Sequence, residues 1–129
     1  MPFTFTKNER LHEFRLIRLL FAEGSDFSVP PFKVTWLKPG KHPGPAFQLM
    51  ISVPKALHRK SAERNLIRRR IREAYRSNNQ QLFESNPSPD EFLVFCITYT
   101  SKEILSYSAI QDKIILLLRR LKEECEKDN

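Results

Sequence analysis

Glycine is scarce in this chain, with three residues in 129. That count excludes the glycine-rich loops that cradle phosphates in nucleotide-binding folds. Cysteine is scarcer still: Cys96 and Cys125 form no disulfide framework and no C-x-x-C metal spacing. Cys96 lies in an apolar run and is expected to be buried, whereas Cys125 lies among charges and is expected as a surface thiol. The three histidines, His12, His42 and His58, show no ligand spacing. His58 sits in a basic stretch and is expected to meet phosphate rather than to act as a base. Clustered carboxylates of the kind that hold two metal ions are also missing. Glu63 and Glu73 are separated by arginines, and Asp90 and Glu91 are expected to flank the start of a strand. No catalytic residue and no metal or cofactor site is therefore assigned to this chain. Long apolar runs are missing too. No signal-peptide-length stretch occurs near the start, and nothing approaches the roughly 20 apolar residues that span a bilayer. A cytoplasmic location without membrane contact is expected.

What the chain has in excess is positive charge, a net +7 over 22 basic and 15 acidic residues. Between Lys55 and Arg76 there are nine basic residues and two acids, a difference of +7. The remainder holds 22 − 9 = 13 basic and 15 − 2 = 13 acidic residues and is formally neutral. Charge focused in this way creates a local potential that attracts polyanions. With 40% apolar and 29% charged residues, the length suits one domain with a real core.

Lys7–Glu23 is predicted as a helix, with Phe14, Ile17 and Phe21 on one face, Leu16 and Leu20 widening the arc, and Gly24 as its stop. Ser25–Pro31 is expected as a connector, since Pro30 and Pro31 force extended geometry. Phe32–Leu37 and Phe47–Val53 are predicted strands. Pro39, Gly40, Pro43, Gly44 and Pro45 mark the loop between them. These two strands are expected to pair through a long hairpin. After a basic loop over 55–61, Ser61 is expected to cap a helix running to about Ser77, and Gln80–Ser85 to add a further turn. Glu91–Tyr99, containing FLVFCITY, is predicted as a buried strand. The passage from Val53 to Phe92 then forms a strand–helix–strand crossover. A last helix starts near Ser106 or Ser108, with Ile110, Ile114, Leu117, Leu118 and Leu121 facing the core. Ser108 with Gln111 fits a capping box, and Ser106 is the competing cap.

At 3.6 residues per turn, Arg64, Arg68, Arg72, Asn65, Arg76 and Arg69 fall within an arc of about 140° on the middle helix. Ile67, Ile71, Ala74 and Tyr75 occupy the opposite side and are expected to dock on the sheet. Five arginines with no facing acid repel one another unless a polyanion lies against them. The guanidinium fork suits phosphate oxygens.

The segment Phe47–Arg76, FQLMISVPKALHRKSAERNLIRRRIREAYR, resembles the signature of the bacterial ribonuclease P protein. That signature is an apolar strand ending S-V-x-K, a short basic loop, then R-N-R-x-[KR]-R-x-x-R-[EQ]-A-[FY]. Ser52, Val53, Lys55, Arg64, Asn65, Ile67, Arg68, Arg69, Ile71, Arg72, Glu73, Ala74 and Tyr75 match it. The first helix with its Phe21-x-x-Gly24 ending and the order of elements also fit, so the likeness extends over nearly the whole chain. Leu66 stands where a basic residue is usual and Arg70 where an apolar one is. The helix has exchanged a leucine and an arginine while keeping its charge count. The loop Ala56–Ala62 is one residue longer than in many relatives.

The resemblance implies one ribonuclease P protein-like domain over residues 1–129. Its fold would be α+β, a single α/β sandwich with a small central sheet of about four strands, helices and a left-handed βαβ crossover. It implies a noncatalytic partner of a catalytic RNA subunit that frees the 5′ end of precursor tRNA, with Mg²⁺ accompanying the RNA and no cofactor on the protein. By position, Arg64, Asn65, Arg68, Arg69 and Arg72, with Arg76, Arg59 and Lys60, would contact the catalytic RNA. A cleft formed by Ile17, Phe21, Phe14, Thr35, Ser52 and Lys55 would take the single-stranded leader. Ile17 and Thr35 stand where base-stacking aromatics are expected, so Phe14, Phe32 or Trp36 are candidates to share that grip. Two other readings stay open: a ribosomal or RNA-chaperone-type binding module, and a duplex-DNA binder. The second wants a helix-turn-helix partner or dimer-forming features that the sequence does not offer.

Overall fold

The computed structural model describes residues 14–39, 47–80 and 92–127. Within them lie α1 (Phe14–Glu23), β1 (Ser25–Val29), β2 (Phe32–Leu37), β3 (Phe47–Ser52), α2 (Ser61–Asn78), β4 (Leu93–Tyr99) and α3 (Tyr107–Lys127). The strands form one mixed sheet in the order β1-β2-β4-β3.

The start of the predicted first helix, residues 7–13, lies outside the described residues, as do 81–91 and the loop 40–46. Ser25–Pro31 is not a plain connector. Five of its residues form β1, antiparallel to β2 from Ser25↔Trp36 to Val29↔Phe32, and the chain turns at the cis-linked Pro30–Pro31. The prolines make the turn, and β2 supplies the ladder that the polar sequence SDFSV does not advertise.

The expected hairpin between the second and third strands does not form either. β4 enters between them, antiparallel to β2 (Trp36↔Phe95) and parallel to β3 (Leu49↔Phe95). A parallel neighbour needs a crossover, and α2 is that crossover, as the Val53-to-Phe92 passage predicts.

Alternation along the strands sorts side chains onto two faces. Val34, Trp36, Leu49, Phe95, Ile97 and Tyr99 point to one face and are buried with Ile67, Ile71, Ala74 and Tyr75 of α2. The predicted α3 stripe, Ile110, Ile114, Leu117, Leu118 and Leu121, completes this core and is fully buried. Cys125 also packs against it, half-buried rather than a free surface thiol. Leu16 and Leu20 of α1 pack on the other face against Phe92, Val94 and Cys96, with Ile17, Leu37 and Met50 beside them.

Gly24 ends α1 for a steric reason. A Cβ there would stand 2.4 Å from the Leu20 carbonyl oxygen and 2.9 Å from that of Trp36, inside any permitted contact. Two caps resolve differently from expectation. Ser61 is the first residue inside α2, the N-cap position being Lys60 without a side-chain bond. At α3, Ser106 prevails over Ser108, its Oγ accepting from the Ala109 amide at 3.2 Å.

Candidate nucleic-acid interface

The outward side of α2 follows from its buried side. With Ile67, Ile71, Ala74 and Tyr75 against the sheet and α3, helical geometry turns Asn65, Arg69 and Arg72 into solvent, with Arg68 half-buried beside them. Ala62, Asn65, Leu66, Arg68, Arg69 and Arg72 line a shallow depression of about 310 Å³. Arg68 donates to Asn65 Oδ1 at 3.3 Å, which orders both side chains along this surface. Among the described residues Arg69 and Arg72 have no carboxylate partner. Such a surface offers forked donors to successive phosphate oxygens.

The stripe is not uniform. Arg76, expected to face outward unopposed, pairs with Glu73 one turn back through Nε and Nη2. That contact holds the Glu73 carboxyl below the ordinary carboxylate range and raises Arg76. Nor does the outward charge count survive the exchange at 66 and 70. Leu66 lines the depression, whereas Arg70 turns to the far side and donates to the Leu105 carbonyl. Arg64 is half-buried, and its Nη1 donates to the carbonyls of His58 (2.9 Å) and Arg59 (2.8 Å). The side chains of Arg59 and Lys60 are exposed.

His58 departs furthest from expectation. Its side chain is 1% exposed, and the ring lies 5.7 Å from that of Tyr99. Nε2 is 2.7 Å from the Ser101 carbonyl oxygen. Because a carbonyl only accepts, Nε2 carries the proton. Nδ1 faces Glu63 Oε2 at 3.8 Å. A ring so enclosed meets no phosphate, and hydropathy in a basic loop gave no sign of it.

The second candidate surface is the sheet face beneath α1. Register puts Thr35, Cys96 and Met50 in one row and Lys33, Thr98 and Ser52 in the next. The first row borders α1; Thr98 and Ser52 are half-exposed and Lys33 exposed. Lys33 lies 3.6 Å from Asp26, so the carboxylate on this face is matched. Above it, Phe14 and Phe21 are 72% and 55% exposed. The apolar face read for α1 thus divides: Leu16 and Leu20 are core, Ile17 is intermediate, and the two phenylalanines project into solvent. Arg18 stacks its guanidinium 5.7 Å from the Phe14 ring centroid. Phe32 and Trp36 are buried in the opposite core and cannot stack on a ligand. Lys55 is exposed in the turn after β3, so the loop 54–60 runs from this face to the start of α2. His12, His42, Asp90 and Glu91 lie outside the described residues. Among the described residues no helix is long and apolar enough to cross a membrane.

The Ribonuclease P family matches residues 5–122. A curated relative, the ribonuclease P protein component of Porphyromonas gingivalis strain ATCC 33277, is 29% identical over 112 residues, 85% of this chain and 82% of its own. The RNase P protein of Thermotoga maritima superposes with a TM-score of 0.66 at 24% identity, covering 87% of this chain and 96% of that one. A Staphylococcus aureus RNase P protein mutant with defective mRNA degradation activity gives 0.66 at 21%, covering 90% of each. At these identities the two structures speak to the fold, the same four-stranded α+β arrangement.

Proposed function

This chain belongs to the ribonuclease P protein family, and from that premise we propose how its surfaces divide the work. Its role is that of the protein component of ribonuclease P, the endoribonuclease of tRNA 5′ maturation, in which the RNA subunit carries catalysis. In our reading Asn65, Arg68, Arg69 and Arg72, with Arg59 and Lys60, lie against the catalytic RNA. The sheet face beside α1, with Phe14, Ile17, Phe21, Thr35, Ser52 and Lys55, grips the 5′ leader of precursor tRNA. The observation that carries this is the pair of outward arginines, Arg69 and Arg72, beside Asn65 and Arg68, on a helix whose other side is fully docked. Arg76 contributes less, being held by Glu73.

The protein's contribution is electrostatic and positional. Cations on α2 reduce repulsion between RNA segments and release counterions on binding. Stacking on Phe21 and Phe14 fixes the leader so that the scissile phosphate stays in register with the RNA's own metal site. Mg²⁺ belongs to the RNA in this scheme, and the complex works in the cytoplasm.

Reconstitution tests the reading. With a bacterial catalytic RNA at low Mg²⁺ and a precursor tRNA bearing a 5′ leader, the protein is expected to stimulate cleavage. Absence of stimulation would overturn it and favour a binding module of ribosomal or chaperone type.

A further inference from the structure

The loop 54–60 carries three exposed cations, Lys55, Arg59 and Lys60, but is not a loose arm. The Pro54 carbonyl accepts from the amides of Leu57 (3.1 Å) and His58 (3.2 Å), closing a turn. The His58 ring fastens the middle of the loop to Ser101, just beyond the end of β4. Arg64, reaching back from the first turn of α2, bonds the next two carbonyls, those of His58 and Arg59. The Lys60 carbonyl accepts from the amides of Glu63 and Arg64. Every carbonyl from 58 to 60 is thus engaged, while the Arg59 and Lys60 side chains remain exposed.

We propose that His58 and Arg64 are positioning residues, which hold the loop so that Arg59 and Lys60 meet the RNA as a fixed pair of cations, and that Arg64 acts through the loop rather than as a phosphate ligand. Two observations carry this. Arg64 Nη1 sits between two carbonyls of its own chain, and turning it to a phosphate would strip both of their partner. His58 is buried in a strongly basic segment, where a solvent-facing residue would otherwise be expected, and its ring spans from the Ser101 carbonyl, 2.7 Å from Nε2, to Glu63 Oε2, 3.8 Å from Nδ1. A cation already held in place loses less side-chain and backbone freedom on binding than one on a free loop. The Ser101–Leu105 connection is itself braced. Tyr99 Oη donates to the Glu103 carbonyl and accepts from the Leu105 amide, and Arg70 donates to the Leu105 carbonyl. The far anchor is therefore fixed.

This inference rests on the RNA-binding reading above, and its test separates the two. Affinity for the catalytic RNA is measured for His58→Leu, His58→Gln and Arg64→Gln, each in the natural chain and in an Arg59→Ala/Lys60→Ala background. In the natural chain His58→Leu and Arg64→Gln should each weaken binding about three- to tenfold, the equivalent of one lost hydrogen bond. His58→Gln, whose amide can still donate to Ser101, should recover most of that loss. In the Arg59→Ala/Lys60→Ala background, both His58→Leu and Arg64→Gln should cost less than about twofold, because the cations they position are gone. Full, additive losses in that background would overturn the proposal. So would Arg64→Gln flattening the salt dependence by a whole ion while His58→Leu has no effect. If His58→Leu does not fold, Arg64→Gln in the two backgrounds still decides, since Arg64 buries no part of the core. Arg68→Ala with Arg72→Ala run beside these variants shows which idea failed. Unchanged affinity there sinks the RNA-binding reading and this proposal with it, whereas weakened affinity with additive loop effects sinks this proposal alone.

Discussion

The two faces of the sheet come from the same strands, residue by alternate residue, yet they are finished differently. Under α2 and α3, Phe95, Ile97 and Tyr99 of β4 are fully buried, and the Tyr75 and Phe95 rings meet at 6.1 Å. Under α1, Val94 and Cys96 of the same strand are buried but Thr98 is half-exposed, as are Thr35 and Ser52 beside it. Two long amphipathic helices close the first face. On the second, the described turns of α1 bury Leu16 and Leu20 and leave two phenylalanines in water. The first face holds the fold together. The second gives up burial to keep polar and aromatic groups available beside a basic arm.

The contrast can be broken at both ends. Phe95→Ala opens a cavity in the closed face and is expected to cost about 3–5 kcal/mol of stability, read by denaturant unfolding. A loss under about 1 kcal/mol would mean that this core repacks freely. Phe21→Ala on the open face should leave the unfolding midpoint unchanged. It should weaken binding of leader-bearing precursor tRNA by about 1–3 kcal/mol, the range of one base–aromatic stack, while leaving a leaderless tRNA unaffected. Equal weakening of both substrates would place the leader elsewhere. Arg72→Ala, away from both faces, should reduce the slope of log affinity against log salt by about one ion. An unchanged slope would mean that Arg72 touches no phosphate. The smallest effect concerns the thiols. Burial pushes the Cys96 thiol up from its ordinary value, against a weaker opposing contribution from Thr98, so it keeps its proton in the fold. It should resist alkylation until the protein unfolds, while half-buried Cys125 reacts first. With the folded value raised, the associated stability is fully present below the ordinary thiol value and is lost as pH climbs from there through the raised value of the folded protein. Equally fast labelling of both thiols would show α1 lifting from the open face.

Much of this was legible in the residues because periodicity reports burial directly. The docking side of α2 and the stripe of α3 follow from spacing alone, and the crossover from β3 to β4 follows from a strand, a helix and a strand in sequence. What stayed hidden depended on neighbours distant in the chain. β1 is polar at Ser25, Asp26 and Ser28 and becomes a strand only because β2 lies alongside. The insertion of β4 between β2 and β3 is a choice of partner that no local pattern records. On α1 the apolar arc is wider than the surface available to cover it, so sequence could not say that Leu16 and Leu20 would be buried and Phe14 and Phe21 left out. Arg64, Arg70, Arg72 and Arg76 look alike as letters. The structure assigns the first to a loop, the second to the α3 connection, the third to solvent and the fourth to Glu73.

The central place of β4 also sets a schedule. A chain emerging from the ribosome presents β1, β2, β3 and all of α2 before residue 93 appears, yet β3 has no strand to pair with until β4 fills the slot beside it. During that interval the arginine-rich segment exists without the floor it docks on, and the inner edges of β2 and β3 are unpaired templates for other strands. Assembly therefore waits on the last third of the chain, and the most basic part of the protein is made well before it is sheltered.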